Sequence, residues 1–188
     1  MMQHCDTKAD NWVLSTSNLV DGEAIEASDI MLTDFGRAVD LRSLDTPTGN
    51  PLDNRLKGKA SREDMMCVAM KRGLPWSFDV DTYGLCDTAH VLLFGCSLEL
   101  CRDEKTGRWG PKQRPRRYHQ SNLWTKLFDS LLNIEEPSKA AIGSRPGSLR
   151  QVRSEFEKYL SDNQTQVKAQ LKHQATFLPS KRSSGSPR

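Results

Sequence analysis

Two short stretches hold the residue types best suited to chemistry. His4-Cys5-Asp6-Thr7-Lys8-Ala9-Asp10-Asn11 has the form H-x-D-x-K-x-x-N, and Asp34-Phe35-Gly36 follows further along. Asp6 is a carboxylate that can orient an attacking hydroxyl and accept its proton. Lys8, two residues on, can reach phosphoryl oxygens as negative charge develops there. Asn11 and Asp34 supply an amide oxygen and a second carboxylate, hard ligands suited to magnesium held against nucleotide phosphates. These types at this spacing suit phosphoryl transfer to a hydroxyl. At ordinary residue frequencies, both motifs arising this close together is roughly a one-in-a-million event, so chance is set aside.

Several elements must position those residues. Trp12-Val13-Leu14 and Ile30-Met31-Leu32-Thr33 read as short strands flanking a polar, acidic loop from Ser15 to Asp29. Such a pair sets Asp34 beside Asn11, so that both can face one metal site. The loop acids Asp21, Glu23, Glu26 and Asp29 lack the D-x-[DN]-x-[DN]-G order of a calcium loop and read as a solvated hairpin tip. Val80, Tyr83, Gly84, Thr88, Val91, Leu92 and Gly95 recur at helical spacing and predict a central core helix over 79–96. Asp81 lies on that stripe, where burial without donors would be costly. The plainer alternative is a solvent-facing helix cap.

The segment 34–70 carries Pro47, Gly49, Pro51 and Gly58 with few apolar residues, and reads as a mobile loop. Thr46, Thr48 and Ser61 are candidate phosphosites there, against a plainer reading as loop hydroxyls. Residues 101–120 are basic (Arg102, Lys105, Arg108, Lys112, Arg114, Arg116, Arg117) with Trp109 and Tyr118 interleaved. They read as an exposed inter-helix loop, with a nuclear-import patch or a docking surface for an acidic partner as functional alternatives. Ser121-Asn122 is expected to cap a helix whose Leu123, Leu127, Phe128, Leu131 and Leu132 form one face. A linker over Pro137–Gly147, an amphipathic helix from Ser148 and a weakly periodic segment Asn163–Leu178 follow. Residues 179–188 read as a disordered basic tail.

Composition agrees with one modest core. The chain has 188 residues, a net charge of +3 and 36% hydrophobic residues. That charge is too mild to argue for nucleic acid by itself. No apolar run approaches membrane-spanning length. Five cysteines (Cys5, Cys67, Cys86, Cys96, Cys101) form no disulfide framework and read as reduced thiols of cytosol or nucleus. Cys96, Cys101, His90 and His119 match no common zinc spacing.

The two opening stretches resemble the catalytic loop and metal-binding motif of the protein-kinase signature set. Further residues narrow the resemblance: Cys67-Val68-Ala69-Met70, Arg72-Gly73-Leu74-Pro75-Trp76-Ser77-Phe78, Asp81-Thr82-Tyr83-Gly84-Leu85 and Leu92-Leu93-Phe94-Gly95. Together with Leu123-Trp124, Leu127-Phe128 and Leu131-Leu132-Asn133, they are similar to the budding-uninhibited-by-benzimidazole family of mitotic spindle-checkpoint serine/threonine kinases. The similarity runs from His4 to about Asn133.

The resemblance implies a mainly α fold with a small β-hairpin, the C-terminal lobe of a kinase over residues 1–178. The catalytic loop is 4–11, the D-F-G motif 34–36, and the activation segment 34–70. It implies ATP and Mg2+, with Asp6 as positioning base, Lys8 on the phosphoryl group, and Asn11 and Asp34 on the metal. His4, Phe35, Gly36 and Asp81 support the site, Asp81 by accepting hydrogen bonds from the amides around His4 and Cys5. Lys8 implies serine or threonine acceptors.

Two departures stand out. Cys5 replaces an arginine that commonly clamps a phosphate on the activation segment, and Ala69 replaces a glutamate that usually pairs with a buried arginine. A kinase also carries a glycine-rich strand and an ATP-pairing lysine before its catalytic loop. Only Met1, Met2 and Gln3 precede His4 here. The chain alone is therefore expected to be inactive. By resemblance the setting is the nucleus and kinetochore, with checkpoint partners bound through regions N-terminal to the kinase domain. The rivals are a non-catalytic scaffold on the kinase fold and, more remotely, a basic nucleic-acid binder.

Overall fold

The longest apolar segments set the layout. Residues 79–94 contain few helix breakers, and the chain there forms a helix that stops where Gly95 turns left-handed at φ 73°. The computed structural model describes residues 1–14, 29–45, 49–50, 54–60, 65–116, 120–133 and 145–175. Its helices are α1 (Val68–Lys71), α2 (Asp79–Phe94), α3 (Ser121–Leu132), α4 (Arg145–Asp162) and α5 (Gln164–Ala175). The core gathers Cys67 and Met70 with Tyr83, Cys86 and Ala89 of α2, Leu98, and Phe128, Leu131 and Leu132 of α3. The fold is mainly helical with small antiparallel strand pairs, as the sequence indicates.

Three such pairs are present among the described residues, where one hairpin was expected. β2 (Trp12–Leu14) and β3 (Ile30–Leu32) are that hairpin, with Trp12 opposite Leu32. β1 (Met2–Gln3) pairs with β4 (Val39–Asp40) and so brackets the candidate site residues between them. β5 (Leu100–Arg102) pairs with β6 (Trp109–Pro111), so the basic stretch opens on a hairpin rather than a plain loop. The cause is its turn: Asp103 Oδ1 accepts from the amides of Lys105 and Thr106 at 3.0 and 2.8 Å, and Gly107 supplies φ 70°. Lysines and arginines on either side obscured a D-x-x-T-G turn.

Other boundaries shift for physical reasons. Leu92 was placed on the buried stripe but is 78% exposed, while Tyr83, Cys86, Ala89 and His90 face the core. Because α2 is apolar most of the way round, periodicity alone could not choose its inner face. Ser121 lies inside α3; Gln120 precedes it in a left-handed conformation and offers no side-chain cap. α4 begins at Arg145, inside the expected linker, and places Pro146 in a first turn where a missing N–H is harmless. The weakly periodic segment forms α5. Trp124 of α3 meets Phe156 of α4 edge-on at 5.0 Å, and Lys126 binds Glu155 at 2.8 Å. The candidate phosphosites Thr46, Thr48 and Ser61, the acids at 21, 23 and 26, His119 and the tail 179–188 lie outside the described residues.

A single amide joins hairpin and helix. Asn133 Oδ1 accepts from the Trp109 N–H at 2.7 Å, and its Nδ2 donates to the Trp109 carbonyl at 2.8 Å. Beside it, Arg108 forks onto both oxygens of Asp129 at 2.6 and 2.7 Å. Asn133→Ala should leave two part-buried backbone groups without partners and destabilise the fold by about 1–3 kcal/mol in urea unfolding.

Candidate active site

The site starts from one carboxylate on α2. Asp81 Oδ2 accepts from the His4 N–H at 3.0 Å, and Oδ1 accepts from the Cys5 N–H at 2.8 Å and the Thr7 hydroxyl at 3.2 Å. Three donors on two oxygens satisfy a part-buried anion and tie residues 4–7 to the core helix. Cys5 takes φ 61°, a left-handed backbone that a non-glycine residue holds only when its surroundings over-determine it. The Asp81 bond to its amide is part of that determination.

One turn along α2, Gly84 lets the loop come close. A Cβ there would lie 2.0 Å from the Thr7 carbonyl oxygen and 2.7 Å from Thr7 Cβ, so no side chain fits without moving the loop. Gly84 entered the sequence reading as a member of the apolar stripe and of the family-like stretch 81–85, with no close approach foreseen. Thr7 was missed altogether, its small hydroxyl carrying no motif.

Held this way, the loop turns its functional side chains together. Asp6 is buried, and Lys8 Nζ reaches its Oδ2 at 3.1 Å. Asn11, at the end of a 3₁₀ turn over Ala9–Asn11, donates Nδ2 to the Asp6 carbonyl at 2.7 Å and lies 3.4 Å from Oδ2. The Asn11 carbonyl accepts from both the Thr33 N–H at 2.8 Å and the Thr33 hydroxyl at 3.0 Å, which brings the residue before Asp34 against the loop. His4 Nε2 pairs with the Thr33 carbonyl at 2.9 Å, and its ring meets Phe35 edge-on at 4.8 Å. Asp34 is left-handed at φ 61°, and its Oδ1 accepts from the Gly36 N–H at 3.4 Å. Asp6, Lys8 and Asn11 are thus in direct contact. Asp34 joins them through its neighbour Thr33.

A magnesium nucleotide suits these groups. With Asn11 Nδ2 committed to Asp6, the amide presents Oδ1 as an oxygen ligand, and Asp34 adds a carboxylate. Magnesium typically takes one or two protein oxygens and completes its shell with phosphates and water. Among the described residues there is no cluster of three or more His, Cys, Asp or Glu of the kind that would hold a metal by protein ligands alone.

No family model matches the chain. It is 32% identical over 136 residues to the mitotic checkpoint serine/threonine-protein kinase BUB1 of Arabidopsis thaliana, a match covering 70% of this chain and 23% of that protein. Against the spindle assembly checkpoint kinase BUB1 of Saccharomyces cerevisiae it is 36% identical over 117 residues, 62% of this chain and 11% of that one. The solved kinase domain of BubR1 superposes with a TM-score of 0.73 at 26% identity, covering 93% of this chain and 47% of that domain. The chain's homologues are the BUB1 checkpoint kinases. It spans only 23% and 11% of the two BUB1 proteins.

In this BUB1-like chain residues 34–70, expected to be the activation segment, have anchors that sequence reading did not find. Leu41 is fully buried, and Asn54 Nδ2 donates to its carbonyl at 2.7 Å. Leu56 and Trp76 exchange backbone hydrogen bonds at 2.8 and 3.0 Å. Gln3, fully buried, donates to Ser77 Oγ at 2.9 Å, and the Ser77 N–H is capped by Asp79 at 2.9 Å. The described part of the segment is therefore tied at several points, where a mobile loop was expected. In the basic hairpin of this BUB1 homologue, Arg108 is paired with Asp129, and Lys112 with Glu99 at 2.7 Å. Among the described residues no helix is long and apolar enough to cross a membrane.

Two tests follow from this geometry. Gly84→Ala should force the loop off α2 and destabilise the fold by about 1–3 kcal/mol, read as a lower unfolding midpoint. The second concerns thiols. Partial burial and the Asp81 charge push Cys5 up to about 11, and burial pushes Cys67 to about 11 and Cys86 upward as well. Raised folded pKa values mean that the folded chain keeps protons the unfolded chain loses. The associated stability is complete below about pH 9 and is lost as pH rises towards 11. The unfolding temperature should fall across that window, and a flat profile would contradict the assignment.

Proposed function

We propose that the intact protein is an ATP- and magnesium-dependent serine/threonine kinase acting in spindle-checkpoint signalling at the kinetochore. One observation carries the reading: Asp6 is buried and oriented, with Lys8 and Asn11 both on its Oδ2 side. Asp6 then positions the acceptor hydroxyl and takes its proton. Lys8 offsets charge on the transferring phosphoryl group, and Asn11 with Asp34 would hold the magnesium. His4, Phe35, Gly36 and Asp81 keep these groups in place. When bound, ATP supplies the phosphoryl group and magnesium neutralises its oxygens. The partners are ATP, a protein substrate, and checkpoint proteins engaged outside this region.

The names of the homologues support the setting. A kinase-fold scaffold is the second reading. It is favoured by Ala69, which packs against the core without a carboxylate, and by Cys5, whose thiol stays protonated at neutral pH.

The deciding experiment measures phosphorylation of a generic peptide and nucleotide affinity in the intact protein and its Asp6→Asn variant. A loss of roughly a hundredfold or more in turnover with affinity retained is expected. Turnover within a few-fold of the parent would overturn the assignment. Nucleotide binding with no turnover in the parent would establish the scaffold.

A further inference from the structure

Lys8 and Asn11 crowd one oxygen of Asp6; the other faces a different cation. Arg37 Nη1 lies 3.8 Å from Asp6 Oδ1 and 3.9 Å from Met65 Sδ. Arg37 follows Gly36 directly and stands in the 3₁₀ turn Phe35–Arg37, so the turn that carries Asp34 also sets its reach. It therefore spans from the metal-motif turn, past Asp6, to the activation segment. Among the described residues, Lys8 and Arg37 are the cations within ion-pair distance of Asp6.

The two differ in what they can do. Lys8 is in hydrogen-bond contact at 3.1 Å. Arg37 is beyond hydrogen-bond range of Asp6, and its side chain is 59% exposed, so solvent screens the pair and its loss is a small matter. A guanidinium that is exposed, weakly held and fork-shaped is well made to exchange one carboxylate for another anion, which it can grip with two parallel hydrogen bonds. Met65 Sδ, met by the same Nη1, is a soft, weak acceptor that carries no charge to hold the guanidinium.

We propose that Arg37 is a specificity-determining residue that selects acceptor hydroxyls flanked by an anionic side chain. The inference rests on the kinase reading and deepens it by naming a substrate class. As an anionic flank binds, the guanidinium leaves Asp6 Oδ1 for the carboxylate or phosphate of the substrate. Oδ1 is thereby uncovered for the incoming hydroxyl: Asp6 accepts its proton, the hydroxyl oxygen bonds to the γ-phosphorus of ATP, and the bond from that phosphorus to the β–γ bridging oxygen breaks to release ADP. A neutral peptide must displace the same cation and gives it nothing in return. The flank is a carboxylate or a phosphate already in place; both present the paired oxygens that a guanidinium recognises.

The test uses three peptides identical except for the residue beside the acceptor serine: alanine, glutamate or phosphoserine. For the intact protein and its Arg37→Gln and Arg37→Lys variants, both peptide affinity by fluorescence anisotropy and kcat/KM are measured. The parent should favour one or both anionic peptides over the alanine peptide by roughly tenfold, the scale of a charge-assisted hydrogen bond. Glutamate against phosphoserine shows which source is read. Arg37→Gln should bring the ratio close to one, and Arg37→Lys should restore part of it, since charge returns without the fork. A parent that does not discriminate overturns the proposal. So does a Gln variant that shifts all three peptides by the same factor, which would make Arg37 only a counterion or a structural prop. If no peptide is phosphorylated by the parent, the kinase reading fails, and the affinity ratios still decide the role of Arg37.

Discussion

A charged group inside a protein needs partners, and here that need organises the site. Asp81 stands on the central helix, and the donors it requires, two backbone amides and the Thr7 hydroxyl, come from residues four to seven of a loop far away in the chain. The same three bonds that make its burial tolerable define where the loop lies. They also offset the left-handed backbone at Cys5. Asp6 sits between these anchored residues, so its backbone is placed from α2, while Lys8 and Asn11 meet its carboxylate directly. Gly84 completes the arrangement by leaving space, and a missing Cβ is as much a part of the site as the carboxylate.

Other links near the site are neutral. The Gln3–Ser77 bond joins β1 to the residues just before α2, both residues fully buried. The Asn54 amide holds the carbonyl of the fully buried Leu41. Such bonds are directional and insensitive to salt, and leaving either partner unmatched is costly.

How much of this was legible depends on whether the signal was local. Strands at Trp12–Leu14 and Ile30–Leu32, the helix from Asp79 and the helix through Phe128 follow from short-range patterning, and the structure has them. Asp6, Lys8 and Asn11 could be named as candidates from their motif, and the structure brings them into contact. Asp81 could be singled out as a problem of burial, but its donors were suggested only by resemblance. What stayed hidden was long-range. Gln3 and Ser77, Thr7 and Gly84, and Arg37 and Asp6 are pairs that no window of sequence contains. The inner face of α2 was hidden for another reason, since its apolar residues surround the helix and its orientation is decided by α3.

The separation between the loop and its acceptor has a consequence for how the molecule is made. The His4 amide and the Asp81 carboxylate are 77 residues apart, and the Cys5 pair 76. During synthesis at about 5–20 residues per second, the loop leaves the ribosome several seconds before any residue that can hold it exists. Until α2 emerges and folds, residues 4–7 have no carboxylate to bind, and a left-handed Cys5 has nothing to support it. Residues 4–7 are therefore among the first parts of this region to be translated and among the last to take shape.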